Sequence, residues 1–449
     1  MTYRKWQEKG WGTCGAKDKV KEGDKEVFMR VLLSAFECNP MFGSDPYVGW
    51  SWVSNTAKTN EVYVLLRIDH KPYIEKYCAE NKIEGYKNIH FIYLPSSELF
   101  GKIVYKFNKQ LAVVGQYYMW QKAAYKEAKK LHATKQFDVA HVISIADFRF
   151  PGYLWKLNIP FIFGPVGGAQ ETPKCLIDYI KGHEKNEKFR AWMNKLLIML
   201  PNYKKALSHA DLIYCSNAET EEVIRKKVKY ADQDKVYRLT ELGINDDYLR
   251  EREKLLHDNS KEIHILVSGR LIYRKGIELL LDSVNHIETS RPYIVDIYGE
   301  GDQKQFLKNK VREYKLENRV FFHGNIPFAE MQEQYKKADI YCLPSLRETT
   351  GTAVFEAMAN KLPIIALNQN GVKDIVQNDC GILVNVCSKE QVIVDLATAL
   401  RKLIENDSMR QAMGENAFRK IKKHYTWSKR VCAMNEIYRE LVNNYGKKI

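Results

Sequence analysis

Short apolar runs alternate with stretches of helical periodicity along most of this chain. The first clear run is Val31-Leu-Leu-Ser-Ala-Phe36, and similar runs recur as far as residue 216. Continuous apolar runs predict strands that are buried on both faces, which are typical of a mainly parallel sheet with helices on either side. The other strands predicted in this first series are residues 61–66, 89–94, 139–144, 160–163 and 212–216.

The same pattern restarts after Asn245. A strongly charged stretch, residues 246–262, has the composition of a linker or a surface helix, and apolar runs then resume. Two consecutive doubly wound α/β sheets imply a cleft between two domains, with ligands bound at the carboxyl ends of the strands. Strands of the second series are predicted at residues 263–268, 293–298, 320–323, 339–343, 363–367 and 381–384.

These patterns divide the chain into four segments. The last begins with Tyr425-Thr-Trp427 and continues as an amphipathic helix, which we expect to cross back onto the first domain. Met29, just before the first strand, is a second candidate for the native start. The four segments are a polar extension (1–28), a Rossmann-like first domain (29–245), a Rossmann-like second domain (246–424) and the C-terminal helix (425–449).

Composition narrows the class of protein. A chain of 449 residues with 45% hydrophobic content is too long for one ordinary core and fits a globular protein of two or more domains. Its nine cysteines are scattered singly without CxxC spacing, which favours reduced thiols over a disulfide framework or a zinc site. No apolar run is long enough to cross a bilayer and no secretory segment opens the chain, so we expect a soluble, cytoplasmic protein.

The net charge of +15 needs an anionic partner. Nucleic acid is not expected, because the dispersed basic residues form no nucleic-acid module, which leaves anionic small molecules or an anionic membrane surface. Residues 99–130 and 185–205 combine lysines with aromatic and aliphatic side chains. Such helices either lie on anionic lipid or are ordinary surface helices whose apolar stripe faces the core.

The first candidate site follows the strand at 263–268. Gly269 permits a tight turn, Arg270 offers a planar fork for phosphate oxygens, and Lys275 adds a second cation near a helix N-terminus. A basic turn exposed to solvent is the alternative interpretation. Gly299 belongs to a second glycine turn, but a complete GxGxxG is absent, so a dinucleotide fingerprint is not supported.

Two glutamates eight positions apart, Glu348 and Glu356, form the second candidate site. The β-rich run before them ends at Pro344, and a helix is predicted from about Thr350, so Glu348 lies in the loop and Glu356 lies near the start of the helix. Free N–H groups at a helix N-terminus suit a phosphate, and the two carboxylates can accept sugar hydroxyls. Chance spacing of two common residues is the alternative.

As a set, these residues resemble the donor domain of retaining GT4 glycosyltransferases, a family also described as glycosyl transferases group 1. The resemblance covers most of residues 260–440. It rests on the order and spacing of these features: the two cations, Gly276, the Gly299/Gly301 turn, Asp339…Pro344-Ser345 and the two glutamates. It implies the GT-B fold, in which two Rossmann-like domains face a central cleft.

The resemblance also implies a role for each residue. Arg270 and Lys275 would hold the diphosphate of a nucleotide-sugar, Glu348 would accept hydroxyls of the transferred sugar, and Glu356 would accept ribose hydroxyls. Backbone N–H groups at 350–352 would face phosphate or sugar. The donor-binding set implied in this way is Gly269, Arg270, Lys275, Gly299, Glu348, Thr350, Gly351, Thr352 and Glu356.

One departure from the family pattern concerns the donor. Many members carry Gly-Phe-Gly after the first glutamate, where this chain has Thr349-Thr350-Gly351. Gly351 keeps the close backbone approach, while Thr350 replaces the usual aromatic residue. The resemblance therefore predicts a UDP- or GDP-sugar donor without identifying the sugar.

The first half contains loops similar to those of a bacterial GT4 subgroup. Residues 43–50 resemble its Gly-Ser-Glu…Gly-Trp loop, and Gly164-Pro-Val-Gly-Gly168 resembles a second signature. Glycines at strand ends let the backbone approach a ligand, although ordinary turns would need them as well. The residues expected to line the acceptor side are Gly43, Ser44, Asp45, Gly49, Gly167 and Gly168.

Asp147 completes the candidate catalytic set with Arg270, Lys275 and Glu348. It follows the strand at 139–144, where a polar residue in relatives contacts the acceptor or the transferred sugar. His141, early in that strand, is interpreted as a core histidine.

No metal or other cofactor is expected. The pair Asp232 and Asp234 matches an Asp-x-Asp metal motif, but it lies in a polar loop without the strand that such motifs follow. Arg270 and Lys275 would neutralise the diphosphate instead.

The sequence therefore predicts a retaining glycosyltransferase that moves a hexose-type sugar from a nucleotide-sugar to a glycan or lipid-linked acceptor. Bacterial cell-surface polysaccharide or glycoconjugate synthesis is the expected setting, at the cytoplasmic face of the membrane. The alternatives are a sugar-nucleotide epimerase, a phosphorylase of the same fold, or a non-catalytic subunit of a glycosyltransferase pair.

Overall fold

A computed structural model describes residues 28–96, 109–252 and 262–445 of the chain. The chain forms two compact units. The first contains the described residues up to Ala169, then Trp192–Glu241 and the chain from Trp427, and the second contains Gln170–Ala191 and Leu242–Thr426. The segment Gln170–Ala191 belongs to the second unit although its neighbours in sequence belong to the first, which the sequence pattern did not predict.

A parallel sheet forms the centre of the first unit. Its strands are β1 (Arg30–Ala35), β2 (Glu61–Arg67), β3 (Ile89–Leu94), β4 (Val139–Ser144), β5 (Phe161–Val166), β6 (Leu212–Cys215) and β7 (Val236–Arg238). The seven strands lie in the order β3-β2-β1-β4-β5-β6-β7. Val31 of β1 pairs with Val62 on one side and Val139 on the other, so the apolar runs lie side by side in the buried centre of the sheet.

Two strands differ from the sequence prediction. β7 was not predicted, because only Val236 of its three residues is buried and a single apolar position leaves no pattern. β5 continues through Pro165 to Val166, where the sequence placed a loop after residue 163. A register shift between Phe163 and Val166 lets the strand continue past a proline that cannot donate a ladder hydrogen bond.

The second unit is built on its own parallel sheet. Its strands are β8 (Ile263–Ser268), β9 (Tyr293–Tyr298), β10 (Val320–Gly324), β11 (Ile340–Leu343), β12 (Ile364–Leu367) and β13 (Gly381–Val384). The six strands lie in the order β10-β9-β8-β11-β12-β13. The chain reverses its direction across the sheet between β8 and β11, and open α/β sheets bind ligands at the carboxyl ends of strands at such a point. The predicted class, two doubly wound parallel sheets, is confirmed.

Helices cover both sheets. They are α1 (Asp45–Thr56), α2 (Lys71–Glu80), α3 (Lys109–Lys135), α4 (Glu184–Leu197), α5 (Pro201–His209), α6 (Ala218–Arg225), α7 (Asp246–Arg252), α8 (Ile277–Val284), α9 (Lys304–Glu313), α10 (Phe328–Lys337), α11 (Thr352–Ala359), α12 (Asn370–Ile375), α13 (Lys389–Glu405), α14 (Asp407–His424) and α15 (Trp427–Tyr445).

Helix α15 packs within the first unit. The ring of Trp427 lies edge-on to Trp52, with 5.4 Å between centroids, and the Asn60 and Asn435 side chains are joined by a 2.8 Å hydrogen bond. His141 is fully buried, with Nε2 2.5 Å from the Gly164 carbonyl oxygen and Nδ1 2.7 Å from the Tyr438 hydroxyl. Because a carbonyl oxygen can only accept, Nε2 carries the proton and Nδ1 accepts from Tyr438.

Burial lowers the pKa of His141 to about 4, despite the opposing hydrogen bond from the ring to Gly164. The ring is therefore neutral near pH 7, in agreement with the interpretation of His141 as a core histidine.

The thiols agree only in part with the expectation of reduced cysteines. Seven cysteines of the described residues are free, whereas Cys432 is disulfide-bonded. The expectation was therefore wrong at Cys432. Across the three described ranges, no helix combines the length and apolar character that crossing a bilayer requires.

Candidate functional site

The loop after β8 is shaped by glycines that meet neighbouring backbone. Gly276 adopts φ 65° at the start of α8, and a Cβ there would lie 2.0 Å from the Pro344 carbonyl oxygen. Gly299 adopts φ 144°, and a Cβ there would lie 1.9 Å from the Gly269 carbonyl oxygen. Any larger residue at either position would push the loops apart. The loop 269–276 is therefore held against both the β9 and the β11 connections.

Across the switch point lies the loop after β11. Lys275, in the first loop, forms an ion pair with Glu348, in the second. Ser345 Oγ lies 3.4 Å from the same carboxylate oxygen of Glu348, and the Glu348 backbone N–H donates to Asn370 Oδ1 at 2.9 Å. Two of the predicted residues, 73 positions apart in sequence, are thus in direct contact.

The Glu348 carboxyl is an anion at neutral pH. Burial by itself would raise its pKa, but the charges of Lys275 and Arg274 and the hydrogen bonds from Lys275 and Ser345 outweigh burial and lower the pKa. An ionised carboxylate is an acceptor only, so it can accept hydroxyls or hold the neighbouring ammonium in place.

Arg270 has a different environment from Lys275. It is exposed, and its side chain forms no hydrogen bond or ion pair with any residue in the described ranges. Its guanidinium therefore keeps all five donors available for an anion.

A small pocket opens where β8 and β11 end. Gly269, Arg270 and Lys275 line one side, and Pro344 and Ser345 line the other. Two cations in one loop at the carboxyl end of β8, beside a switch point, suit a bound phosphate or diphosphate.

The turn that enters α11 supplies the remaining predicted donor residues. Thr350 is fully buried, so its side chain belongs to the protein interior. Gly351 precedes the helix with φ 89°, a conformation that favours glycine, and Thr352 is the first helical residue. The helix begins two residues later than predicted, which leaves Glu356 in its second turn.

Glu356 contrasts with Glu348, because within the described part of the chain no cation contributes to its pKa to offset its burial. Burial raises the pKa of Glu356 to about 7, although a hydrogen bond from Tyr335 opposes the change. The Tyr335 and Tyr341 hydroxyls each lie 3.1 Å from Ser268 Oγ, at the end of β8. The structure thus brings Glu356 to the same end of the sheet as the loop 269–276, in a polar and mostly buried cluster.

Several site residues were missed by sequence reasoning. Glu187 contacts Tyr273 and Arg347, which belong to the two loops, and Gln170 contacts Thr349. No local signal could have identified Glu187, because it lies 160 positions from Arg347. Asn370, 22 positions after Glu348, belongs to a helix whose turn geometry is not evident from the sequence.

Candidate residues of the first unit form a separate group. The Asp147 carboxylate accepts from Arg149 Nε at 2.8 Å and from the Arg149 backbone N–H at 2.9 Å. Asp147 and Gly167 form an isolated parallel bridge, and a Cβ on Gly168 would lie 3.9 Å from Asp147 Oδ1. The structure therefore brings Asp147, Gly167 and Gly168 together, with the carboxylate held by an arginine fork.

The loop at 43–50 is explained largely by packing. Ser44 adopts φ 62° just before α1, and Asp45 is the first residue of that helix. A Cβ on Gly49 would lie 2.0 Å from the Glu37 carbonyl oxygen, so helix α1 needs glycine there to approach the backbone that follows β1. Nothing lies within 4 Å of the position that a Cβ on Gly43 would occupy.

Among the described residues, no group of three or more His, Cys, Asp or Glu side chains is arranged to hold a metal ion. The Asp232 side chain, which belongs to the Asp-x-Asp motif, lies outside the described part of the chain.

Comparison with known proteins identifies a family domain in the second unit. Residues 248–420 match the family model described as glycosyl transferases group 1. An uncharacterized glycosyltransferase of Methanocaldococcus jannaschii is 27% identical over 182 residues, which cover 40% of this chain and 44% of that protein. The chain thus spans less than half of that relative's length.

Solved structures resemble nearly the whole chain. Sucrose-phosphate synthase from Thermosynechococcus elongatus has a TM-score of 0.61 at 20% identity, and covers 93% of this chain and 100% of its own. HepE from Anabaena, in complex with UDP and glucose, has a TM-score of 0.58 at 15% identity, and covers 92% of this chain and 99% of its own. The chain therefore has the predicted GT-B fold and carries a glycosyl transferases group 1 domain over residues 248–420.

Proposed function

We propose that the protein is a retaining glycosyltransferase that moves a hexose-type sugar from a UDP- or GDP-sugar to a glycan or lipid-linked acceptor. The observation that carries the proposal is the exposed Arg270, whose side chain has no partner among the described residues, beside the Lys275–Glu348 pair at the switch point of a group 1 domain. HepE, which shares the fold, is described in complex with UDP, and this supports a nucleotide donor.

In the proposed reaction, the bond between the anomeric carbon and the β-phosphate oxygen breaks, and its electron pair stays on that oxygen. The acceptor hydroxyl forms the new bond on the same face of the sugar, and its proton passes to a phosphate oxygen. Negative charge on the leaving diphosphate grows as the bond breaks. Fixed cations and N–H groups that face this charge stabilise the transition state and so lower the barrier. Such electrostatic stabilisation is often the largest single contribution to catalysis.

Each candidate site residue of the second unit has a defined part in the proposed reaction. Arg270 and Lys275 bind the diphosphate, and backbone N–H groups at the start of α11 assist them. Glu348, which is ionised, accepts hydroxyls of the transferred sugar and holds the Lys275 ammonium in place. Glu356 accepts the ribose hydroxyls. Since the two cations neutralise the diphosphate, we propose that catalysis needs no metal ion.

The acceptor side is proposed from the first unit. An open pocket lies beside Arg149, with aromatic walls from Tyr118, Phe150 and Tyr203. Arg149, Gln121 and Asn202 add a few polar groups to this mainly apolar lining, as is usual for sites that bind small molecules. The Tyr203 hydroxyl is buried and has no hydrogen-bond partner among the residues that the structure describes. This composition fits an acceptor with both sugar and apolar parts, and we propose that Asp147 orients Arg149 towards it.

An anionic membrane surface is proposed as the place where such an acceptor is presented. Trp192, Leu196, Met199 and Leu200, around the turn between α4 and α5, are 41–64% exposed. Residues 188–210 contain no acidic residue, and Lys195, Lys204 and Lys205 are exposed in the same stretch. Exposed apolar side chains within a purely basic segment match the chemistry of an anionic bilayer interface.

The other basic stretch, residues 99–130, fits better the alternative of an ordinary surface helix whose apolar stripe faces the core. Its residues 99–108 lie outside the described part of the chain. In α3, Tyr117 and Trp120 are each 1% exposed and pack against Phe36, so the apolar stripe of that helix faces the core.

We therefore place the protein at the cytoplasmic face of a bacterial membrane, in the synthesis of a cell-surface polysaccharide or glycoconjugate.

The reaction class is tested by incubating the protein with a panel of UDP- and GDP-hexoses, with and without n-octyl glycosides as acceptor probes. Release of UDP or GDP together with an alkyl disaccharide that keeps the donor's anomeric configuration is expected. A free epimer or a sugar phosphate formed without acceptor would instead identify an epimerase or a phosphorylase. Binding of no nucleotide-sugar would leave the non-catalytic subunit as the alternative.

A further inference from the structure

The segment 170–191, here called the strap, packs on the second unit although it belongs to the first half of the sequence. Leu176, Tyr179 and Ile180 are buried in the hydrophobic core of the second unit. The Tyr179 hydroxyl donates to Asp282 Oδ2 at 2.7 Å, which fixes the strap to α8. An apolar anchor and a buried hydrogen bond hold this segment in one place.

Beyond the anchor, the strap reaches both loops of the donor site. Glu187 Oε1 accepts from the Tyr273 hydroxyl at 2.6 Å, and Glu187 Oε2 accepts from Arg347 Nη1 at 2.6 Å. Tyr273 lies in the loop that carries Lys275, and Arg347 immediately precedes Glu348. One carboxylate therefore joins the two loops whose own contact is the Lys275–Glu348 pair.

The bridge is shielded from water. The Glu187 and Arg347 side chains are 13% and 11% exposed, so their ion pair is screened far less than a surface pair would be. His183, also in the strap, stacks on Tyr273 with 4.2 Å between ring centroids. Gln170 Nε2 donates to Thr349 Oγ1 at 2.8 Å, directly after Glu348.

We propose that Glu187 is a positioning residue, which holds the loops of Lys275 and Glu348 at the separation that the nucleotide-sugar requires. This inference rests on the proposed function, because it assigns the strap a role in donor binding. Glu187 touches neither cation of the diphosphate site and acts through Tyr273 and Arg347. Small displacements of such loops matter, because a shift of about 1 Å in a binding group can reduce a rate by about 100-fold.

The test compares Glu187→Ala with Asp178→Asn in the full-length protein. Asp178 also tethers the strap, through a 3.1 Å ion pair with Lys389, but it contacts neither donor loop. We measure the affinity for UDP and for GDP by calorimetry, and KM and kcat for hydrolysis of the corresponding UDP- or GDP-hexose. Glu187→Ala should weaken nucleotide binding and raise the donor KM by about 10-fold or more, the loss typical of a charged hydrogen bond, while Asp178→Asn should leave both unchanged.

A second pair of variants separates positioning from folding. Glu187→Met leaves the Arg347 charge buried and unpaired, whereas Glu187→Met with Arg347→Met removes both charges and should recover thermal stability. The donor KM should stay raised in the double variant, because the bridge between the loops is still absent. A KM that returns to the wild-type value together with stability would overturn the inference, as would a folded Glu187→Ala protein with wild-type KM.

The same experiment distinguishes the two proposals. If the wild-type protein binds UDP or GDP and the Glu187 variants bind it equally well, only the positioning role fails. If the wild-type protein binds neither nucleotide, the proposed function fails and the positioning role fails with it.

Discussion

The Lys275 ammonium and the Glu348 carboxylate form an ion pair between two loops at the switch point of the second sheet, with 16% and 14% of their side chains exposed. Because both groups are mostly shielded from water, each charge needs the other as its counter-charge. The pair links the cation expected at the diphosphate to the carboxylate expected at the sugar.

Replacing Lys275 with Ala should lower both stability and transfer. The Glu348 carboxylate would lose its counter-charge while still buried, which costs about 3 kcal/mol of unfolding free energy. The pKa of Glu348 should rise, because burial is then less opposed. Urea unfolding and donor hydrolysis check this, and removal of a cation that meets the leaving group should lower kcat by about 100-fold or more.

The double variant Lys275→Met with Glu348→Gln is the control. Since neither charge remains, it should regain much of the stability that Lys275→Ala loses, without regaining activity. Wild-type turnover in Lys275→Ala would contradict the assigned role.

Glu356 should give the protein a distinct pH dependence. The pKa of Glu356 is about 7 in the folded protein and is ordinarily 4.5. The native state therefore holds the carboxyl proton more tightly than the unfolded chain does. The contribution of this carboxyl to stability is therefore full below pH 4.5 and is lost as pH rises through about 7, by on the order of 3 kcal/mol. Glu356→Gln should remove this dependence, as measured by urea unfolding at several pH values.

Nucleotide affinity should change in the opposite direction. An ionised Glu356 can accept both ribose hydroxyls, so UDP or GDP binding should strengthen as pH rises from about 6 to about 8. In Glu356→Gln the affinity should stay at its lower value throughout. A wild-type affinity that is flat across this range, or equal in the variant, would argue against ribose recognition by Glu356.

Membrane binding should depend on the turn between α4 and α5. Met199→Ser with Leu200→Ser should reduce co-sedimentation with vesicles rich in phosphatidylglycerol by several fold, because the apolar contacts with the interface are lost. Phe306→Ser, at a side chain 47% exposed in the second unit, is the matched control. Equal binding of the wild-type protein to neutral phosphatidylcholine vesicles, or unchanged binding of the double variant, would exclude this surface.

The sequence predicted the fold well because its strands are buried on both faces and read as continuous apolar runs. Val31–Phe36 and residues 263–268 could be located in this way, whereas the three-residue edge strand β7 could not. Lys275 and Glu348 could be identified as candidate site residues because each lies a few positions after a strand that the sequence predicts.

Other features depend on contacts that no local pattern encodes. Glu187 reaches Arg347 from 160 positions away, through a strap that crosses to the second unit. The raised pKa of Glu356 arises from burial beside Tyr335, a residue of α10. Glu348 and Glu356 are the same residue type, so only their surroundings could show that Glu348 stays ionised near neutral pH while Glu356 titrates there.

The central claim is that the exposed Arg270 binds the diphosphate of a nucleotide. The most direct measurement is calorimetric titration of UDP and of GDP into the wild-type protein, Arg270→Ala and Arg401→Ala, an exposed arginine in α13 that serves as control. The wild-type protein and Arg401→Ala should bind one of the nucleotides at a single site with equal affinity, and Arg270→Ala should bind it about 10-fold or more weakly with an unchanged melting temperature. Equal binding by Arg270→Ala, or no binding of either nucleotide by the wild-type protein, would contradict the claim.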